Sequence, residues 1–237
     1  MSGKANQHSE RAFLAVEDLL AHLHPKEDTA ALVRRLREHF GSAEALFRAE
    51  RHVLEQLGVH ASDALLLSRM PELSRCVART QFEKFPQFTR FSDSVKYLVP
   101  LFHGLQVERF YMLCLDARGR MREQVLLEEG ISDGALFSLR RILAEVVRTG
   151  ANAVILSHNH PGLTRQPSQA DINTTMDAIR ALTAVGVPLL DHVIVAGKDV
   201  ISMRQNGFVP SRLWLKQSPE HSLLRSWLED DSSQDFA

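Results

Sequence analysis

Apolar residues fall at helical spacing in the first third of the chain. Beyond it they fall mostly in strand-like runs. Phe13, Leu14, Val16, Leu19, Leu20 and Leu23 recur every three or four positions, which predicts a helix from Ser9 to about Leu23 behind a polar, disordered tip of residues 1–8. Asp28 is placed to cap a second helix that buries Leu32, Val33, Leu36 and Phe40 and stops at Gly41. Ser42 caps a short third helix, and a fourth runs from about His52 to Leu57 before Gly58. Ser62 opens a longer one through Leu65, Leu66, Leu67 and Leu73, with Pro71 expected to kink it. Residues 9–80 therefore read as a compact helical unit, and Phe82, Phe85, Pro86 and Phe88 as a linker docked by aromatics.

The period then changes. Ser92 caps a helix holding Val95, Tyr97 and Leu98 before Pro100. Val107 to Leu115 is apolar after its first positions, Asp116-Ala117-Arg118-Gly119 is a turn, and Arg120 to Leu127 is the returning strand. Ser132 caps a helix whose apolar face is Leu136, Leu139, Ile142, Leu143, Val146 and Val147. Ala153 to Leu156 is a short buried-strand run. Ser168 opens an amphipathic helix that buries Ile172, Met176, Ile179 and Leu182 and ends at Gly186. Val187 to Val195 is a strand, Gly197-Lys198-Asp199 a turn, and Val200 to Met203 a short edge strand. After Ser211 come Leu213, Trp214 and Leu215, then Leu223, Leu224, Trp227 and Leu228 at helical spacing, and docking of this tail on its own domain is favoured over docking on a partner.

Composition narrows the class. With 237 residues, 44% of them hydrophobic, the chain can build one large core or two small ones. A formal net charge of −1 gives no bulk electrostatic case for binding nucleic acid or a membrane. Met1 to Glu10 lacks the apolar stretch of a signal peptide, and no apolar run approaches the ~20 residues of a membrane span. Cys76 and Cys114 are far apart in apolar patterns and read as buried free thiols, so a reducing cytoplasm is expected.

The chemistry concentrates in residues 153–171. The apolar run leads into His158-x-His160, and side chains two apart on a strand point the same way, so both imidazoles can face one point. Asp171 lies in the first turn of the following helix. Two histidines and one carboxylate with a fourth position left for water is a catalytic zinc arrangement, and among divalent metals the donor types suit Zn²⁺ best. Each feature also has a plain structural reading. Ser168-x-x-Asp171 is an ordinary capping pattern, and His-x-His at a strand end can be a hydrogen-bonded pair.

His158-x-His160-x7-Ser168-x2-Asp171 resembles the JAMM motif of the JAB/MPN metalloprotease domain, and Ser157-His158-Asn159-His160-Pro161 is most similar to the bacterial RadC family. The resemblance covers about residues 88–205, including Leu190-Asp191-His192-Val193-Ile194-Val195 and Val200-Ile201-Ser202. It implies an α/β (α+β) fold, a mixed sheet flanked by helices, behind a small all-helical N-terminal domain. The implied division is 1–87, 88–210 and a tail of 211–237. It also implies His158, His160 and Asp171 as zinc ligands, Glu108 as the catalytic base one strand earlier, and Ser168 as donor to a tetrahedral oxyanion. Asp191 and His192 would support the site or the core without ligating. The implied reaction is hydrolysis of a peptide or isopeptide bond by water that the metal makes nucleophilic, with a protein or peptide substrate. Glu123, Glu128 and Glu129 are rivals to Glu108 that look exposed. Two departures bear on substrate contacts: Pro161-Gly162-Leu163 stands where RadC sequences usually read Pro-Ser-Gly, and Glu129 stands where an arginine is usual.

The helical unit resembles the region that precedes RadC domains and carries a helix-hairpin-helix. Phe40-Gly41-Ser42 and Leu54 to His60 take the place of its two glycine turns. His60 replaces the second glycine of a turn whose backbone would approach a DNA phosphate. Residues 1–87 hold twelve Lys and Arg against twelve Asp and Glu. Arg34, Arg35 and Arg37 read as a solvated helix face in preference to a phosphate contact. The alternative function, a DNA-repair-associated nucleic-acid-binding protein with a structural or nucleic-acid-directed metal site, thus has weak sequence support. A third, an inactive interaction module, is opposed by retention of all five motif residues. Neither pattern nor resemblance fixes the oligomeric state.

Overall fold

The computed structural model describes residues 2–80, 86–130, 139–210 and 222–231. Phe82, Phe85, Ser132, Leu136, Leu213, Trp214 and Leu215 lie outside them. The chain divides into two compact units, Met1–Val77 and Ala78–Ala237.

The first unit is helical: α1 (Ser2–Leu23), α2 (Thr29–Phe40), α3 (Ala43–Arg48), α4 (Arg51–Gln56) and most of α5 (Ala61–Arg79). α1 begins at Ser2, ahead of Ser9, because Lys4, Ala5 and Gln7 favour helix and no proline intervenes. The side chains of Asp28 and Ser42 accept from Ala31 N and Ala45 N, as caps do. Phe13, Val16, Leu20, Leu36, Leu46, Leu54 and Leu67 build one apolar core. In α5 only Ala64, Leu67, Pro71 and Asp63 are buried; Leu65, Leu66, Leu73 and Cys76 face solvent. Cys76 is therefore an exposed thiol, not a buried one, since the turns of α5 beyond Pro71 leave that core. Cys114 is buried, and both are free.

The second unit holds α6 (Phe91–Phe102), β1 (Arg109–Leu115), β2 (Met121–Glu129), α7 (Leu139–Thr149), β3 (Ala153–Asn159), α8 (Gln169–Ala184), β4 (Leu189–Ala196), β5 (Asp199–Ser202) and α9 (Ser222–Asp231). The strands form a sheet in the order β2-β1-β3-β4-β5, in which only the β3–β4 pair is parallel. It is a mixed sheet with helices on both faces, as the α/β (α+β) expectation had it. The β-alternation separates two cores. Tyr111, Leu113 and Leu115 join Leu98, Ile155, Val193 and Trp227 on one face. Phe110, Met112 and Cys114 join Ile142, Val146, Leu156, Ile179 and Leu182 on the other.

Two details depart from the sequence pattern. α6 starts at Phe91 with no side-chain cap from Ser92; instead Asp93 accepts from Thr89 N and Oγ1, 3.1 Å each, which closes the same end from inside. Val147 is exposed, because α7 is amphipathic and buries only the Ile142–Val146 stripe.

α9 belongs to the sheet's first core. Leu223, Leu224 and Trp227 are buried there, and the Trp227 indole donates to Phe88 O. Gly119 in the β1–β2 turn makes room for this packing. Its φ is +77°, and a Cβ would lie 2.5 Å from Phe88 O and 2.8 Å from Leu223 Cδ1. Trp227→Ala removes a fully buried indole and is expected to cost about 3–5 kcal/mol. Urea unfolding followed by circular dichroism checks this, and a loss below about 1 kcal/mol would show that α9 contributes little to the core.

Candidate functional site

β3 is the central strand and is buried along its whole length. Val154, Leu156 and His158 point to the face covered by α7 and α8, so alternation delivers His158 to the helix side. Its ring stacks on Phe110, its partner across β1, with centroids 5.1 Å apart and planes 11° apart. His160 follows one residue past the strand, where its backbone N–H donates to Val195 O.

α8 brings the carboxylate. Ser168 and Asp171 form a reciprocal capping box: Ser168 Oγ accepts from Asp171 N, and Asp171 Oδ2 accepts from Ser168 N at 2.6 Å and from Ser168 Oγ at 2.7 Å. Both motif readings of Ser168-x-x-Asp171 therefore coexist, because the cap itself aims the carboxylate. Asp171 Oδ1 lies 3.0 Å from His158 Nε2, and Oδ2 lies 3.4 Å from His160 Nε2. The two Nε2 atoms are 2.9 Å apart. Glu108, just ahead of β1, places Oε1 3.8 Å from His158 Nε2 with its side chain 25% exposed, while His158 is fully buried. One donor atom from each of Glu108, His158, His160 and Asp171 lies within 4.8 Å of every other, so the group could hold a metal ion.

The hydrogen bonds settle the tautomers. Thr175 Oγ1 donates to Asp171 O at 2.6 Å, so it accepts from His192 Nδ1, also at 2.6 Å. His192 Nε2 is then an acceptor, and His158 Nδ1 donates to it at 2.8 Å. The lone pair of His158 is left on Nε2. His160 Nδ1 donates to Thr164 O at 2.8 Å, so its lone pair is on Nε2 as well. Two lone pairs and a carboxylate thus converge on one point, an arrangement that repels itself without a cation.

Where no metal ion lies between them, a proton on Nε2 takes its place, and the ring then donates to the carboxylate. Burial pushes the Asp171 carboxyl up, but the hydrogen bonds with His158 and His160 outweigh it and hold the group well below the usual carboxylate range. The bond to Asp171 raises His160. Burial, then the neighbouring His158, holds His192 well below the usual imidazole range, so it stays neutral and can accept.

Sequence reasoning missed two contributors. Asn159 sits between the histidines with its side chain toward β1, where Oδ1 accepts from Arg109 N at 2.9 Å and Nδ2 donates to Val107 O at 3.1 Å. It pins the backbone on both sides of Glu108. Thr175 lies one turn after Asp171, and its inward position leaves Met176, expected in the core, exposed. Asp191 and His192 are adjacent but face opposite ways, so one supports the site and the other the core. His192 joins His158, whereas Asp191 accepts from Ser202 Oγ and Arg204 N. Of the rival carboxylates, Glu123 pairs with Arg148 at 2.6 Å and Glu129 with Arg109 at 2.8 Å.

The loop after His160 is held in an unusual shape. Leu163 has φ 60°, among the described residues the one positive φ at a non-glycine position. This is the place where the resembled pattern carries glycine.

Comparison with known proteins accords with this geometry. The family model described as the RadC-like JAB domain matches residues 88–208. A UPF0758 protein of Idiomarina loihiensis is 33% identical over 184 residues, covering 77% of this chain and 82% of that protein. One from Shewanella sp. strain MR-4 is 32% identical over 179 residues, covering 75% and 80%. One from Vibrio parahaemolyticus is 29% identical over 173 residues, covering 73% and 77%.

Asp191 gives a pH prediction. Burial pushes its carboxyl up to about 6 against the opposing effect of Arg204. The folded chain then binds this proton at pH values where the unfolded chain has released it. Its contribution to stability is greatest below the ordinary carboxylate range and declines as pH rises through about 6, by about 3 kcal/mol in all. Asp191→Asn should show a smaller decline. Urea midpoints of both proteins from about pH 4 to 7 check it, and parallel curves would refute the assignment.

Proposed function

The chain belongs to the RadC-like JAB family, and from that premise we propose that it is a zinc-dependent hydrolase of the JAMM type that cleaves a peptide or isopeptide bond. The observation that carries the reading is the convergence of two Nε2 lone pairs and the Asp171 carboxylate on one point beside Glu108. Two imidazoles and one carboxylate suit zinc. The ion, when bound, supplies Lewis acidity that makes water nucleophilic near neutral pH.

The protein's own groups do the rest. Glu108 is near enough to the ligands and open enough to solvent to take a proton from the attacking water and pass it to the leaving amine. Asn159 fixes the backbone that carries it. His192 and Thr175 fix the donor face of His158. The Ser168 hydroxyl bonds Asp171 at rest, and to donate to a developing oxyanion it would turn away from Oδ2. The ion pairs of Glu123 and Glu129 weigh against them as bases. The nucleic-acid alternative has less in its favour: at the hairpin-like turn His60 bonds the Glu27 carboxylate at 3.0 Å, where a phosphate would need to approach.

His158→Ala and Asp171→Ala are each expected to lose one zinc ion per chain by elemental analysis. Wild-type zinc content in both would overturn the ligand assignment. Glu108→Gln should keep that zinc and lose about 10²–10⁴-fold in turnover on a substrate found from a peptide and isopeptide panel. If it loses the zinc instead, Glu108 is a ligand. His192→Ala should weaken zinc affinity about 10–100-fold without removing a ligand, as read by chelator competition; an unchanged affinity would show that the His192–Thr175 link does not orient His158.

A further inference from the structure

The helical unit carries a second convergence of metal-binding side chains. His24 follows the end of α1, Glu27 lies in the α1–α2 turn, and His60 immediately precedes α5. One donor atom of each lies within 4.8 Å of the others. His60 Nε2 is 3.0 Å from Glu27 Oε2 and 3.1 Å from Oε1. His24 Nδ1 is 3.8 Å from Glu27 Oε1. The two imidazoles stack with centroids 4.4 Å apart and planes 18° apart. Ligands at zinc distances in a tetrahedron are roughly 3.3–3.5 Å from one another, so small side-chain adjustments would close the set.

A second observation points the same way. Asp63, 4% exposed, accepts from His24 Nε2 at 2.6 Å, and its other oxygen accepts from Ser62 Oγ at 3.1 Å. A buried carboxylate on one ring nitrogen fixes the tautomer and leaves the lone pair on the other, Nδ1, which is the nitrogen facing Glu27. This carboxylate–histidine arrangement is how proteins orient an imidazole toward a metal. Charge is matched too: Glu27 raises the pKa of His60, and the two negative charges of Glu27 and Asp63 are balanced by a divalent cation once it displaces that proton. The backbone holds the pieces in place, with Glu27 N donating to His24 O and Asp63 N to His60 O.

We propose that His24, Glu27 and His60 bind a divalent transition-metal ion of the zinc class, with Asp63 as the positioning residue for His24. The ion fastens the α1–α2 turn to the start of α5. His60, which spoils the glycine turn of a hairpin, becomes a ligand, and the turn serves a metal instead of a phosphate. This inference does not rest on the hydrolase reading.

The test is zinc content of the whole 237-residue chain after dialysis against zinc and desalting. Wild type is compared with His60→Gln, Glu27→Gln and the double variant His160→Gln/Asp171→Asn. His60 and Glu27 are half-exposed, so their variants should stay folded, which circular dichroism checks. Each is expected to hold one zinc ion per chain fewer than wild type. The double variant is expected to keep a zinc ion that adding His60→Gln removes. Asp63→Asn should weaken zinc binding at this site about 10-fold or more in the double-variant background. Wild-type zinc content in folded His60→Gln and Glu27→Gln would overturn the proposal. If the double variant holds as much zinc as wild type, the JAMM assignment fails, and the helical site is still decided by His60→Gln.

Discussion

The second unit depends on a line of hydrogen bonds that runs from His158 through His192 and Thr175 to the backbone carbonyl of Asp171. It crosses from β3 to β4 to α8 and returns to the residue whose side chain faces His158. Every group in it is buried, so each bond must be made or its loss costs the desolvation of a polar group. The line has one consistent direction, because the final acceptor is a carbonyl. That direction decides where the lone pair of His158 sits. Backbone geometry at one helical turn thereby determines the electronic state of an imidazole on the central strand.

The same strand serves the opposite face through the adjacent residue. Asp191 collects Ser202 and Arg204, and Arg204 donates to Trp227 O while its guanidinium lies 5.4 Å from the Trp227 ring. Adjacent residues of β4 thus carry two polar networks, His192 toward the His158 cluster and Asp191 toward α9. Burial treats them differently. His192 stays neutral and acts as an acceptor, whereas Asp191 is pulled between desolvation and the Arg204 charge.

Much of this was legible from residue spacing, and the failures share a cause. The helices, the β1–β2 hairpin and the strand into His158 follow from periodicity, and the resemblance drew Glu108, His158, His160, Ser168 and Asp171 into one group that the fold brings together. Periodicity misplaced Met176 because it scores apolarity and cannot know that Thr175 is needed opposite His192. Asn159 was invisible for a similar reason: its work is done on backbone atoms of another strand, fifty residues away in sequence. The Asp191-His192 pair was legible as support, but which residue serves the site and which the core is set by the divergence of neighbours in a strand. His24 and His60 looked like surface or broken-motif residues until the helices set them face to face. Leu163 is the converse case. The departure from glycine was plain in the sequence, but only the backbone shows that the left-handed conformation is kept without it.

That retained conformation bears on how the site is built. A leucine at φ 60° costs roughly 1–2 kcal/mol relative to a residue free to adopt it. The turn persists because both of its ends are tied: Leu163 N donates to His160 O, and Thr164 O accepts from His160 Nδ1. The loop therefore grips the ring of His160 from its far side while the capping box grips Asp171. Relaxing Leu163 would release Thr164 O, and with it the hydrogen that keeps the His160 lone pair on Nε2. Glu108 is treated differently. Its carboxylate is left partly open to solvent while its backbone is clamped: Asn159 bonds the residues on either side, and Glu108 O accepts from Gly130 N. Groups that must hold an ion need fixed side chains, and a group that must exchange protons with water needs a fixed origin and a free end. Under the proposed function, the hydrogen-bond pattern around the four side chains divides them along that line.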